Sequence, residues 1–214
     1  GLVRPNKFFS SFVFSPDGKY LLAADDGQFW KVLEAKTGRE RDSVPVDGYP
    51  HSMRFSPSGK YMLFQLGMGP VQIFDSRTIA NLADPASYRE LTRIPPSEGP
   101  MKVTSAPFRT DDVQVLVFSG KVITIFSITA RKVEDVLKGH GRPVLGAMFS
   151  PDGKRIVSFS DKEIFAWDAD THQRIPEFVP ASLNPRQVIF GLDGSRLFVM
   201  DGSERIRALS AQSG

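Results

Sequence analysis

The chain has 214 residues, 41% of them apolar and 17 of them Phe, with 27 Lys plus Arg against 24 Asp plus Glu for a net charge of +3. That length suffices for one sizeable core or a repeat array, and the charge excess is too mild to mark a nucleic-acid binder by itself. The absence of Cys excludes a disulfide framework and a thiolate metal site, and no run of 18 apolar residues is present to cross a membrane. No signal peptide is visible after Gly1, and a cytoplasmic setting is the expectation, although the lack of Cys does not fix the compartment.

One motif recurs along the chain. It appears as Phe14-Ser15-Pro16-Asp17-Gly18, then as Phe55-Ser56-Pro57-Ser58-Gly59, and in worn form as Phe108-Arg109-Thr110-Asp111-Asp112. Phe149-Ser150-Pro151-Asp152-Gly153 and Phe190-Gly191-Leu192-Asp193-Gly194 complete the series. The phenylalanines are 41, 53, 41 and 41 residues apart, so one gap holds an insertion. A period near 40–45 residues fits a unit of four short strands stacked on its neighbours. Ser, Pro and Gly at the first, second and fourth positions of residues 15–18, 56–59 and 150–153 predict type I turns.

After each motif comes a nearly continuous apolar run: Tyr20–Ala24, Tyr61–Phe64, Val113–Phe118, Ile156–Phe159 and Leu197–Met200. A strand with one wet face would alternate, so these runs predict strands covered on both faces. Third strands close on a bulky residue followed by a small or acidic one, at Leu33-Glu34, Phe74-Asp75, Phe126-Ser127, Trp167-Asp168 and Leu209-Ser210. The insertion spans about Ile79–Pro100, with a short helical turn expected at Leu82–Pro85, a loop at Pro95–Gly99 and an outer strand at Tyr88–Ile94. Only Leu2-Val3-Arg4 precedes the first unit as a strand candidate, and Ser213-Gly214 stops where a last outer strand would begin.

The best-formed unit is Gly139–Arg174. Its Gly139-His140, its Phe149–Gly153 turn and its Trp167-Asp168 pair resemble the WD-repeat family of β-propellers. The resemblance implies an all-β fold of about five WD-like, four-stranded antiparallel blades over residues 1–214, forming part of a larger propeller. It also implies a hydrogen-bond network bracing the blade, made from His140, Ser158 or Ser160, Asp161 and Trp167, with Asp168 completing the Trp-Asp pair. The other four units lack these residues. In this family, ligand-facing residues lie on the loop entering each inner strand, here near Lys7, Tyr49, His51, Lys102, Arg142 and Arg186. They also lie on the turn joining second and third strands, here near Asp26, Met68, Lys121 and Lys162.

Residues that would carry other chemistry are scattered. His51, His140 and His172 occupy different places in their units and form no repeated metal cluster; His172 takes the place of a turn Gly and is expected to be exposed on a hairpin. Asp25-Asp26 and Asp111-Asp112 are adjacent on turns, whereas a glycosidase needs two carboxylates across a cleft. Gly67-Met68-Gly69 lacks the Lys-Ser/Thr and the helix of a phosphate loop, and no G-x-S-x-G elbow is present. The expected function is therefore a non-catalytic protein-interaction scaffold without cofactor or metal, presenting a propeller face to a protein or peptide, within a multiprotein assembly and not on a membrane. The alternatives are a propeller accessory to a hydrolase, as the S-P-D-G turns also resemble prolyl oligopeptidase-type and TolB-like propellers, or a propeller enzyme with a channel active site. A nucleic-acid surface at Arg39 and Arg41, Arg131-Lys132, or Lys138 with Arg142 is the less favoured partner reading.

Overall fold

The computed structural model describes residues 9–25, 29–45, 50–66, 69–76, 90–94, 99, 101–103, 107–176, 178 and 184–213. They fall into two compact units, Gly1–Pro95 and Pro96–Gly214. In the first unit, β1 (Phe9–Phe14), β2 (Tyr20–Asp25), β3 (Phe29–Glu34) and β4 (Glu40–Pro45) form one antiparallel sheet in sequence order. Its second sheet is β5 (Pro50–Phe55), β6 (Tyr61–Leu66), β7 (Val71–Asp75) and β8 (Glu90–Ile94), again in order. The outer strand β8 thus lies within the span of the insertion, whose expected helical turn and Pro95-Pro96-Ser97-Glu98 loop fall outside the described residues.

The second unit holds three sheets. The third sheet of the chain is β9 (Met101–Lys102), β10 (Gln114–Ser119), β11 (Val122–Ser127) and β12 (Lys132–Leu137). The fourth is β13 (Gly146–Phe149), β14 (Arg155–Phe159) and β15 (Ile164–Asp168), and the fifth is β16 (Pro185–Phe190), β17 (Arg196–Asp201) and β18 (Ile206–Ser210). Four strands per unit were expected; the fourth and fifth sheets have three among the described residues, with a bridge from Trp167 to Arg174 beyond β15. Among the described residues there is no α-helix.

Turn chemistry sets the strand pairing. The Gly18, Gly59, Gly153 and Gly194 amides each donate to the carbonyl three residues back, at 2.8–2.9 Å. In the worn third copy, Asp112 donates to Arg109 at 3.0 Å and takes φ +61°, the left-handed conformation that Gly adopts in the other copies. Asp152 tightens its turn further: the Ser150 hydroxyl and then the Lys154 amide donate to its carboxylate, holding it below its ordinary pKa.

Packing follows from register. In the fourth sheet Phe149, Ile156 and Trp167 lie in one row, and Met148, Val157 and Ala166 in the next. Successive residues point to opposite faces. The first row packs on the third sheet, with Leu116, Phe118, Ile123 and Ile125 in the same core cluster. The second row packs on the fifth sheet, with Val188, Leu197 and Val199. Both faces are covered, which is why β10, β11 and β14 are apolar almost throughout. In the first unit Leu22, Ala24, Trp30 and Val32 of the first sheet meet Met53, Met62 and Phe64 of the second, with Trp30 edge-on to Phe64. Each buried Leu, Ile, Val or Phe adds about 1.5–3 kcal/mol of transfer free energy.

Candidate functional site

A polar network runs through the fourth sheet. Strand β14 places Ser158 opposite Phe165 of β15, and Trp167 follows two residues later. The Trp167 Nε1–H donates to Ser158 Oγ at 2.9 Å, and Ser158 Oγ lies 2.8 Å from His140 Nε2. Ser158, His140 and Trp167 are all buried. On its far side His140 Nδ1 is 3.2 Å from Glu163 Oε2. One proton assignment satisfies every atom: Nδ1–H donates to Glu163, Nε2 accepts the Ser158 hydroxyl, and Ser158 accepts the indole. Burial pushes the His140 pKa down against the pull of Glu163, in keeping with a neutral imidazole. The ring stacks on Phe165 at 4.4 Å, and the Arg174 guanidinium lies over the Phe165 ring, 3.7 Å from its centroid.

Glu163, which sequence reasoning missed, holds the place expected for Asp161. Its carboxylate also accepts from the Gly141 amide at 3.0 Å and the Ser160 hydroxyl at 3.2 Å. Burial raises its pKa, but the bonds from Gly141, His140 and Ser160 outweigh that and leave it lowered. The turn explains the exchange. Ser160 N–H bonds Glu163 C=O, so Asp161 and Lys162 form the projecting tip and Glu163 returns beside the sheet. Asp161 instead faces Arg142 at 3.5 Å, both half-exposed. Asp168 closes the sheet's end, accepting from the Thr171 amide and hydroxyl at 2.7 and 2.9 Å and from the Asp170 amide at 3.0 Å. His172 does take the left-handed turn position, at φ +61°, but it is not exposed as expected. Its side chain is 14% accessible and its Nδ1 is 3.2 Å from Asp135 of β12.

Beside this braced sheet lies an open polar cleft of about 700 Å³. The turns after β14 and β17 supply Asp161, Lys162, Asp201 and Ser203, and the start of β16 supplies Asn184 and Arg186. Arg207 borders it, 3.9 Å from Asp201. The Ser203 and Arg205 amides donate to Asp201 at 2.8 and 3.2 Å and lower its pKa, so its charge is spent within its own turn. Among the described residues neither Lys162 nor Arg186 has a carboxylate within 4 Å, and the Arg186 guanidinium lies over Gly202. The cleft therefore presents two cations able to meet an anion or a row of carbonyls.

The structure brings together Lys162 and Arg186 of the residues singled out from sequence, with Arg142 at the rim through Asp161. Lys102 and Lys121 are exposed elsewhere in the same unit. Lys7, Asp26, Tyr49 and Met68 lie outside the described residues; His51 is in β5, with its side chain outside them. Asn184, Asp201, Ser203 and Arg207 were missed, although all four fall at or near the same two loop positions, one period after Arg142 and Lys162, where the signal was available. No group of three His, Asp or Glu among the described residues is placed to hold a metal ion.

Comparison with curated proteins returns no match. Comparison with family models matches residues 131–168 to the WD domain, G-beta repeat. The matched span opens on β12, the outer strand of the third sheet, and ends on Asp168 at the close of β15. The sequence repeat is thus offset from the sheet by one strand and ties two neighbouring sheets together. Modules of this type generally serve as non-catalytic platforms for protein–protein interaction. The chain carries a WD40 repeat, and that repeat contains the sheet braced by His140, Ser158 and Trp167.

Proposed function

We propose that the five sheets are blades of a β-propeller, and that this chain, as part of a larger ring, is a non-catalytic scaffold for a protein or peptide partner. The WD40 match over residues 131–168 carries the reading. The face-to-face stacking of sheets at a 41-residue period supports it. The docking surface is the cleft beside the fourth sheet, and its partner segment brings a carboxylate or exposed peptide carbonyls to Lys162 and Arg186. A scaffold role also fits the charges in the cleft: Lys162 and Arg186 stand free of the acids Asp161 and Asp201, while Arg207 faces Asp201.

The test compares quantitative capture from cell extract by the wild-type chain and by the Lys162→Glu, Arg186→Glu double variant. Both side chains are exposed, so the thermal transition should not move. Partners retained by the first and lost by the second, with identical melting, identify the face. A variant that melts with the wild type and keeps every partner would remove this cleft as the docking surface.

A further inference from the structure

The joints between neighbouring sheets of the second unit are not built alike. Positions 41 residues apart correspond, so Gly120 matches Asp161, Lys121 matches Lys162 and Val144 matches Pro185. Where the third sheet meets the fourth, the Val144 N–H donates to the Gly120 carbonyl at 2.8 Å. That bond straps the segment entering β13 to the turn between β10 and β11. Val144 itself is buried in the core cluster that the two sheets share.

Where the fourth sheet meets the fifth, the same strap cannot form. Pro185 has no N–H to donate, and among the described residues no donor reaches the Asp161 carbonyl. The Asn184 carbonyl instead accepts from Gly202, within its own sheet, at 3.0 Å. The gap left is the cleft of about 700 Å³, and Asp161 and Pro185 both line it. Pro50 holds the corresponding position at the start of β5, but Asp26, the match to Gly120, lies outside the described residues.

The open joint keeps two kinds of unmet partner together. The Asp161 carbonyl is an acceptor without the N–H that its counterpart Gly120 has. Lys162 and Arg186 are exposed cations with no carboxylate within 4 Å among the described residues. The nearby acids do not quench them: the Asp161 carboxylate faces Arg142 at 3.5 Å, and that of Asp201 accepts from the Ser203 and Arg205 amides. Lys121 is exposed at the strapped joint too, so a cation alone does not make a site. Leu145 and Pro185 add apolar wall beside the charges. An extended peptide carries a backbone N–H next to each side chain, so one acidic residue matches both the acceptor and the cations.

We propose that Pro185 converts this joint into a site for an acidic residue of a partner peptide. The backbone N–H of that residue donates to the Asp161 carbonyl, as Val144 does to Gly120, and its side-chain carboxylate lies between Lys162 and Arg186. The proposal rests on the scaffold reading above. It adds what the partner must bring, and why this joint receives it while the one before does not.

Amide spectra of the isotope-labelled chain test it, with N-acetyl-aspartate N-methylamide as the probe. The Lys162, Gly202 and Ser203 amides should shift in a saturable way. The asparagine analogue, and the aspartate probe methylated on the nitrogen of the aspartate itself, should each bind about tenfold more weakly. In Pro185→Val the new amide at position 185 should be as protected from hydrogen exchange as that of Val144, and the probe shifts should be lost. Pro185→Ala restores the same N–H should the first variant melt early. No saturable shift at these amides, equal binding of either altered probe, or a freely exchanging amide at position 185 overturns the proposal. Partners captured from extract that the Lys162→Glu, Arg186→Glu variant loses but Pro185→Val keeps would leave the scaffold face standing and remove this proposal alone.

Discussion

The fourth and fifth sheets are built from the same positions 41 or 42 residues apart, yet they live in different surroundings. In the fourth, Met148, Val157 and Ile164 are covered by the next sheet; in the fifth, the corresponding Ile189, Phe198 and Ile206 are open. The fourth also has a buried polar brace, while Phe198 occupies a strand whose burial simply alternates. A strand's apolar pattern therefore states what its sheet is suited to touch, and its neighbours decide what is touched.

Trp167→Ala and Phe198→Ala break this comparison most strongly. The first empties a buried site and removes the indole donor to Ser158, so it should cost about 3–5 kcal/mol in urea unfolding. The second, at a side chain about one-third accessible, should cost clearly less than that. Equal losses would mean that the two faces are not differently covered. Ser158→Ala comes next. It leaves the Trp167 N–H and His140 Nε2 buried without a partner, and the expected loss is about 1–3 kcal/mol. A neutral result would show that the brace contributes orientation without stability.

Acidification gives the smallest effect and isolates the brace. Burial holds His140 below its ordinary value of 6.5. The folded chain thus binds this proton less readily than the unfolded chain. The associated stability is whole above about pH 6.5 and is lost as pH falls from there through the folded value. Thermal melts from about pH 8 to 5 should therefore slope more steeply for the wild type than for His140→Gln. Parallel slopes would place the titration elsewhere.

Much of this was legible in the sequence, for local reasons. The S-P-D-G turns encode their own geometry, and all five second strands were readable from their apolar runs; coverage on both faces, expected of all five, fails in β17, whose burial alternates. His140 and Trp167 were readable through the resemblance to WD repeats, which left the choice between Ser158 and Ser160 open. Glu163 was not, because the choice between it and Asp161 depends on which residue of a tight turn swings back to the sheet. His172 was misjudged for a related reason: its backbone conformation is a local property, but its contact with Asp135 is made across sheets. Nor does sequence periodicity reveal that the nesting of Pro16 on Gly59 joins two sheets.

The insertion has an entropic consequence. Residues 76–89 link β7 to β8, whereas residues 35–39 link the equivalent β3 and β4, yet both pairs keep the same antiparallel ladder with one bulge. Loop-closure cost rises only with the logarithm of length, so the longer tether costs about 1 kcal/mol more. The strand ladder holds the register without help from a short connection. That connection is therefore the place to graft a foreign peptide or a reporter while leaving both faces of the second sheet untouched.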